Sequence, residues 1–141
     1  MEIIIETKSR KKKKLEVTIR VIVERLFAIM RSHIGEKNSV TRSELFYKVF
    51  GITESDCNEL QELVLWDFLK RALHRCRQQT KCFITNRLTG STYHYFVVET
   101  SDDAHWYTMR ANKTIAAIRG MERRAYRAAK ENWSRLEWVY N

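Results

Sequence analysis

The sequence predicts an α+β fold, mainly α, in which several helices surround one small β-hairpin. Three observations carry this. Apolar residues recur at helical spacing through most of the 141 residues. Two runs that alternate in the manner of strands flank Gly90. The chain contains no proline, so no residue of that kind breaks a long helix.

Taken in order, "EIIIET" reads as a short strand of β-branched residues, expected to pair with the later hairpin. The run from Lys8 to Lys14 holds six positive charges and no negative one. Like charges so densely placed repel, so residues 1–14 are expected to be a strand-like start followed by a solvated basic arm. A first helix is expected over about 15–34. Leu15, Ile19, Ile22, Leu26, Ile29 and His33 keep its spacing, Val23 and Met30 widen the stripe, and Gly35 ends it.

"TRSE", Thr41 to Glu44, has the capping-box pattern and opens a short helix that stops at Gly51. Leu45, Phe46, Val49 and Phe50 form its buried side. "TESD" marks a further start, and a longer helix is expected to run to Gln79, either continuous or broken near Cys57. Leu60, Leu63, Val64, Phe68, Ala72 and Cys76 supply its apolar stripe, while Arg71, His74, Arg75 and Gln78 share another face.

Strands are expected over 81–86 and 93–99, with the link "NRLTGST" projecting as a long tip. "TSDD" then caps a final helix, with Thr100 or Ser101 as the cap and acids in its first turn. Asn112 or Gly120 is expected to bend or divide it. No repeat and no linker points to a second domain.

Several function classes are excluded or weakened by composition. The longest apolar runs fall far short of the roughly 20 residues that span a bilayer, so no membrane role is expected. No charged-then-apolar leader opens the sequence, and a cytoplasmic location is expected. Cys57, Cys76 and Cys82 form no CxxC pair, and their spacing from His74 is unlike that of zinc fingers, so neither metal nor cofactor is expected. Glycine-rich phosphate loops are missing, and "STYHYF" offers a single His where a rolling-circle initiator pairs two. The chain is not expected to be an enzyme.

Charge is more informative. The net charge is +9. From Ile52 to Leu69 there are five acids and no Lys or Arg; from Lys70 to Arg87 there are six bases and no acid. Ordinary solvated surfaces mix signs, so a polyanion is the first partner to consider.

The order of helix, short capped helix, second helix, hairpin and long closing helix resembles the winged helix-turn-helix family of DNA-binding domains. The stretches that carry the resemblance are "SVTRSELFYKVFG", "LKRALHRCRQQT" and the wing-like "KCFITNRLTGSTYHYFVV". It covers residues 15–100, a winged-helix core with a β-hairpin wing. Residues 101–141 would be a helical extension packing on the same domain, of the sort that builds dimers in that family. The chain also looks like small proteins of phages or mobile elements.

The resemblance implies binding to double-stranded DNA, as a transcriptional regulator or a replication or packaging accessory factor. The second helix of the turn enters the major groove and the wing touches backbone or minor groove. The residues it marks are Lys11, Lys12, Lys13 and Lys14 on the arm, Arg42 on the short helix, Lys70, Arg71, Arg75, Gln78 and Gln79 late on the recognition helix, and Lys81, Asn86 and Arg87 on the wing. Arg and Lys neutralise phosphates, and Arg, Asn and Gln can bond base edges in pairs.

One feature departs from the family: the first half of the recognition helix is acidic and would repel a duplex it faced. The alternative function is therefore a protein-interaction or assembly module using that acidic half and the aromatic C-terminus, Trp133, Trp138 and Tyr140. Those aromatics serve equally as a dimer patch or as core cover. The basic group Arg119, Arg123, Arg124, Arg127 and Lys130 reads either as a solvated face or as more phosphate-binding surface. Tyr93, Tyr95 and Phe96 are better explained by sheet packing than by stacking on unpaired bases.

Overall fold

The computed structural model of the chain describes residues 1–7, 10–78 and 83–140, the last eight of these as helix backbone only. The fold is α+β and mainly helical. Its elements are β1 (Glu2–Glu6), β2 (Lys12–Glu16), α1 (Ile19–Met30), β3 (Val40–Thr41), α2 (Arg42–Phe50), α3 (Glu59–Arg77), β4 (Ile84–Thr89), β5 (Thr92–Val97) and α4 (Ser101–Tyr140). The chain divides into two compact units, Met1–Ala104 and His105–Asn141.

The first correction concerns the N-terminus. β1 does not join the later hairpin; it pairs antiparallel with β2, Ile3 opposite Leu15 and Ile5 opposite Lys13. Lys12, Lys13 and Lys14 of the lysine run therefore belong to a strand rather than a mobile arm. Ile5 and Leu15 anchor it by entering the core, at 0% and 5% exposure, while Lys12 and Lys14 point outward. Antiparallel closure over a short link costs little loop entropy, which favours the local partner over the distant one. Because Leu15 belongs to β2, α1 starts later than expected, at Ile19, where the Thr18 hydroxyl accepts from the Val21 N–H at 3.2 Å. It also ends earlier, at Met30, and Gly35 instead takes φ +81° in the bend that leads to β3.

β3 takes the place expected of β1. The three-stranded sheet runs in the order β3-β5-β4, all antiparallel, with Val40 opposite Tyr95 and Arg87 opposite His94. The hairpin link is much tighter than the expected seven residues. Gly90 takes φ +63° and Ser91 stays out of the positive region, as a two-residue II′ turn requires. Asn86 and Arg87 consequently lie within β4, away from the tip.

α2 is as expected. Thr41 caps it, accepting from the Glu44 N–H at 3.3 Å, and Leu45, Phe46, Val49 and Phe50 are buried. Gly51 ends it in the left-handed region. A single-turn helix at Glu54–Asp56 follows, and the chain then breaks at Cys57. Asn58 opens α3 by a reciprocal capping box with Gln61, at 2.8 and 3.1 Å.

The buried face of α3 keeps the expected Ala72 and Cys76 but differs from the expected one in its first half. Leu65, Trp66, Leu69, Ala72, Leu73 and Cys76 are inside, whereas Leu60 and Leu63 are 71% and 69% exposed. A leucine-rich helix offers two apolar stripes, and the one containing Trp66 wins because the ring packs against Phe46 at 5.3 Å. Tyr95 and Phe96 are buried and Tyr93 is half-buried, which puts the sheet aromatics to packing use.

Thr100 is the cap of α4. Its hydroxyl accepts from the Asp103 N–H at 3.3 Å, and the buried Asp103 carboxylate accepts from the Glu99 and Thr100 N–H groups at 2.9 and 3.2 Å. Neither Asn112 nor Gly120 interrupts this helix. From His105 onward it forms the second unit. A lone helix cannot cover its own apolar side chains, and Ile115, Ile118 and Met121 are exposed. Trp133, Trp138 and Tyr140 lie beyond the described side chains. Among the described residues, no helix is long and apolar enough to cross a membrane.

Candidate nucleic-acid interface

α3 follows α2 through the turn at Glu54–Asp56, and that turn is pinned by one carboxylate. Glu54 accepts from the Ser43 hydroxyl on one oxygen and from the Trp66 indole N–H on the other, both at 3.0 Å. Arg42 stacks its guanidinium 4.1 Å above the Trp66 ring. Arg42, expected to face DNA, thus helps to cover the joint between the two helices. Asp56 is tied to the start of its own turn, accepting from the Thr53 N–H at 3.1 Å.

The acids here also act on a neighbour. Burial first, and then the carboxylates of Glu62, Asp56 and Glu54, push the Cys57 thiol up to about 11. Cys57 is therefore protonated at neutral pH and a poor nucleophile.

The exposed face of α3 changes character along its length. Its early part shows Glu59, Leu60, Leu63 and Asp67; its later part shows Lys70, Arg71, His74, Arg75 and Gln78. Asp67 and Arg71 pair across one turn at 3.0 Å, which removes Arg71 from the list of uncommitted cations. Lys70, His74, Arg75 and Gln78 remain as one solvent-facing group. Gln79 and Lys81 lie outside the described residues.

The wing-like hairpin contributes less than expected. Arg87 is ion-paired with Glu36 from the turn before β3. Asn86 is half-buried opposite Tyr95. The exposed tip, Leu88 to Thr92, carries only leucine, threonine, glycine and serine, so it can touch a backbone but brings no charge.

The lysine strand is likewise mostly engaged. Lys14 pairs with Glu2 at 3.2 Å, and Lys13 donates to the Gly51 carbonyl at 2.9 Å. Lys11 and Lys12 are exposed; both line a shallow groove with Asp56, and Lys12 lines another with Asp56 and Asn58 at the start of α3. The strand thus lies beside the acidic end of the helix, which moderates the repulsion that those acids would offer a duplex.

Two cations escaped the sequence reading. Arg25 on α1 donates to the Val49 carbonyl at 3.1 Å, and Lys48 on α2 binds the His33 ring at 3.0 Å. The signal for Arg25 was its position on the flank of the α1 stripe, three residues after Ile22. Lys48 had none, since its neighbours come from other elements. No family model, no curated protein and no solved structure matches the chain.

Proposed function

We propose that the unit Met1–Ala104 is a winged helix-turn-helix domain that binds double-stranded DNA through the later half of α3. The observation that carries this reading is the solvent-facing group Lys70, His74, Arg75 and Gln78 on a helix flanked by the hairpin β4–β5. The connection order α1, β3, α2, α3, β4, β5, with β3 pairing on β5, supports the resemblance. Lys70 and Arg75 take phosphates, Gln78 reaches base edges, and the uncharged hairpin tip rests on the backbone. Arg71 adds its charge once it leaves Asp67. The exposed helix from His105 offers a surface for a second copy, consistent with a dimeric regulator or a replication or packaging accessory factor.

The test is fluorescence anisotropy of labelled duplex DNA with the full chain across a salt series. Affinity should fall steeply with salt, and Lys70→Glu with Arg75→Glu should weaken binding roughly 100-fold and reduce the slope by about 2. No binding at low salt by folded protein ends the DNA reading.

A second reading has its own support. Leu60 and Leu63 are exposed among Glu59, Glu62 and Asp67, a surface that suits a basic, apolar protein partner. Partner capture that survives the charge reversals on α3, with no DNA binding by the wild type, would favour it.

A further inference from the structure

We propose that the cleft between β2, α1 and the end of α2 is a binding site for a phosphate group. It lies apart from the α3 surface and rests on the DNA reading only for the source of the phosphate, a nucleic-acid backbone or a free phosphate. The cleft is lined by Lys13, Lys14, Arg25, Lys48 and one carboxylate, Glu16, over a floor that includes Leu15 and Phe50.

Three of these cations have no carboxylate ion pair among the described residues. Lys13 and Arg25 donate to carbonyls, at 2.9 and 3.1 Å, and Lys48 donates to the His33 ring at 3.0 Å. His33 can accept there on Nε2 while its Nδ1–H donates to the Asn38 carbonyl at 2.7 Å. The partners of Lys13 and Arg25 are backbone carbonyls. Lys14 is compensated by Glu2, and the Glu16 carboxylate stands beside it in the lining.

Capping explains part of this arrangement. The end of α2 carries about half a negative charge, and Lys13 and Arg25 satisfy carbonyls there. Half a charge and the single Glu16 carboxylate together do not account for three cations. Nor do the bonds exhaust their donors, since an ammonium has three N–H groups and a guanidinium five. The buried side chains beneath them, Leu15 and Phe50, exclude water on one side and strengthen attraction to an anion. Gly51 makes the approach feasible: a Cβ there would stand 2.4 Å from the Lys13 Nζ. A tetrahedral phosphate, with oxygens facing several ways, matches donors that converge from three elements.

The experiment uses the full chain labelled with ¹⁵N, followed through the Arg25 Nε–H and Gly51 N–H resonances. Inorganic phosphate is added in one arm and a short duplex DNA in the other, each at ionic strength held constant with chloride. Saturable shifts of both resonances are expected. If the duplex moves them, the source is the backbone, and Lys48→Gln should reduce the salt slope of DNA binding by about 1. If phosphate moves them and the duplex does not, the site takes free phosphate. Shifts no larger than chloride produces, in both arms, overturn the site. That result leaves the α3 reading standing wherever the duplex still binds, so the two proposals fail separately. The wild-type titration needs no variant, which keeps the outcome independent of any loss of the α2 cap.

Discussion

The region from Glu54 to Asp67, a single-turn helix and the first half of α3, and the region from Lys70 to Gln78, the second half of α3 and its cap, carry opposite charge, yet their charges have different explanations. In the first, Glu54 bridges Ser43 and Trp66, Asp56 holds its own turn, and Glu59 and Glu62 stand in the first turn of α3, where the helix dipole favours acids. In the second, Arg77 donates to the Ile84 carbonyl at 2.7 Å and fastens the helix end to β4, and Arg75 lies in the last turn, where a cation suits the dipole. Lys70 lies two turns before the helix end, beyond the reach of that effect. The acidic region is thus largely explained by the fold, whereas in the basic region Lys70 is not and Arg75 is explained by the dipole alone. Segregated charge points to an interface only after the partners inside the fold have been subtracted.

The strongest way to break this contrast is to remove the hub of the acidic region. Trp66→Ala should cost about 3–5 kcal/mol in chemical denaturation of the full chain, as large-to-small changes of buried aromatics do. It empties the contact with Phe46 and leaves the Glu54 carboxylate without its indole donor. A loss below about 1 kcal/mol, inside the range of ordinary substitutions, would mean that Glu54 and Trp66 do not anchor the joint.

A smaller effect sharpens the same side. Asn58→Ala removes the cap of α3 and should cost about 1 kcal/mol. Gln61, the other half of that box, also donates to the Ile4 carbonyl at 3.3 Å. Protection of the first α3 amides against hydrogen exchange should therefore fall in the variant while the last turn keeps its protection. Equal loss at both ends would show that the helix opens as one unit, and that the cap does not act locally.

How much of this was legible depends on whether the deciding partner was local. The bounds and buried side of α2 were readable, because Thr41 and Gly51 act within a few residues of the helix they bound. The basic late face of α3 was readable from spacing alone. The lysine strand was not: its sequence shows no alternation, and what makes it a strand is the burial of Ile5 and Leu15 on either side of the pairing. The early core face of α3 was misread for the same reason, while Ala72 and Cys76 were read correctly. Leu60 and Leu63 match helical spacing as well as Leu65 and Leu69 do, and only the distant Phe46 and Glu54 select between the stripes. For the candidate site, the lost residues are those whose partners lie far along the chain: Arg87 to Glu36, Arg42 to Trp66, Lys13 to Gly51.

The finest test acts where the two regions meet. Asp67 and Arg71 are exposed, and an i,i+4 pair of this kind contributes about 0.3–0.5 kcal/mol, so Asp67→Asn should leave the unfolding midpoint almost unchanged. Its effect on a polyanion should be larger than its effect on stability. The substitution deletes the acid nearest the cationic group and releases Arg71 to join Lys70 and Arg75. Under the proposed function, duplex affinity at low salt should rise by about 3–10-fold and the salt slope steepen by about 1, because one more phosphate is neutralised. An unchanged slope would show that Arg71 points away from the nucleic acid even when free, and would narrow the contact to Lys70, Arg75 and Gln78. Weaker binding would mean that the pair itself shapes the surface, with Asp67 holding the guanidinium where a phosphate meets it.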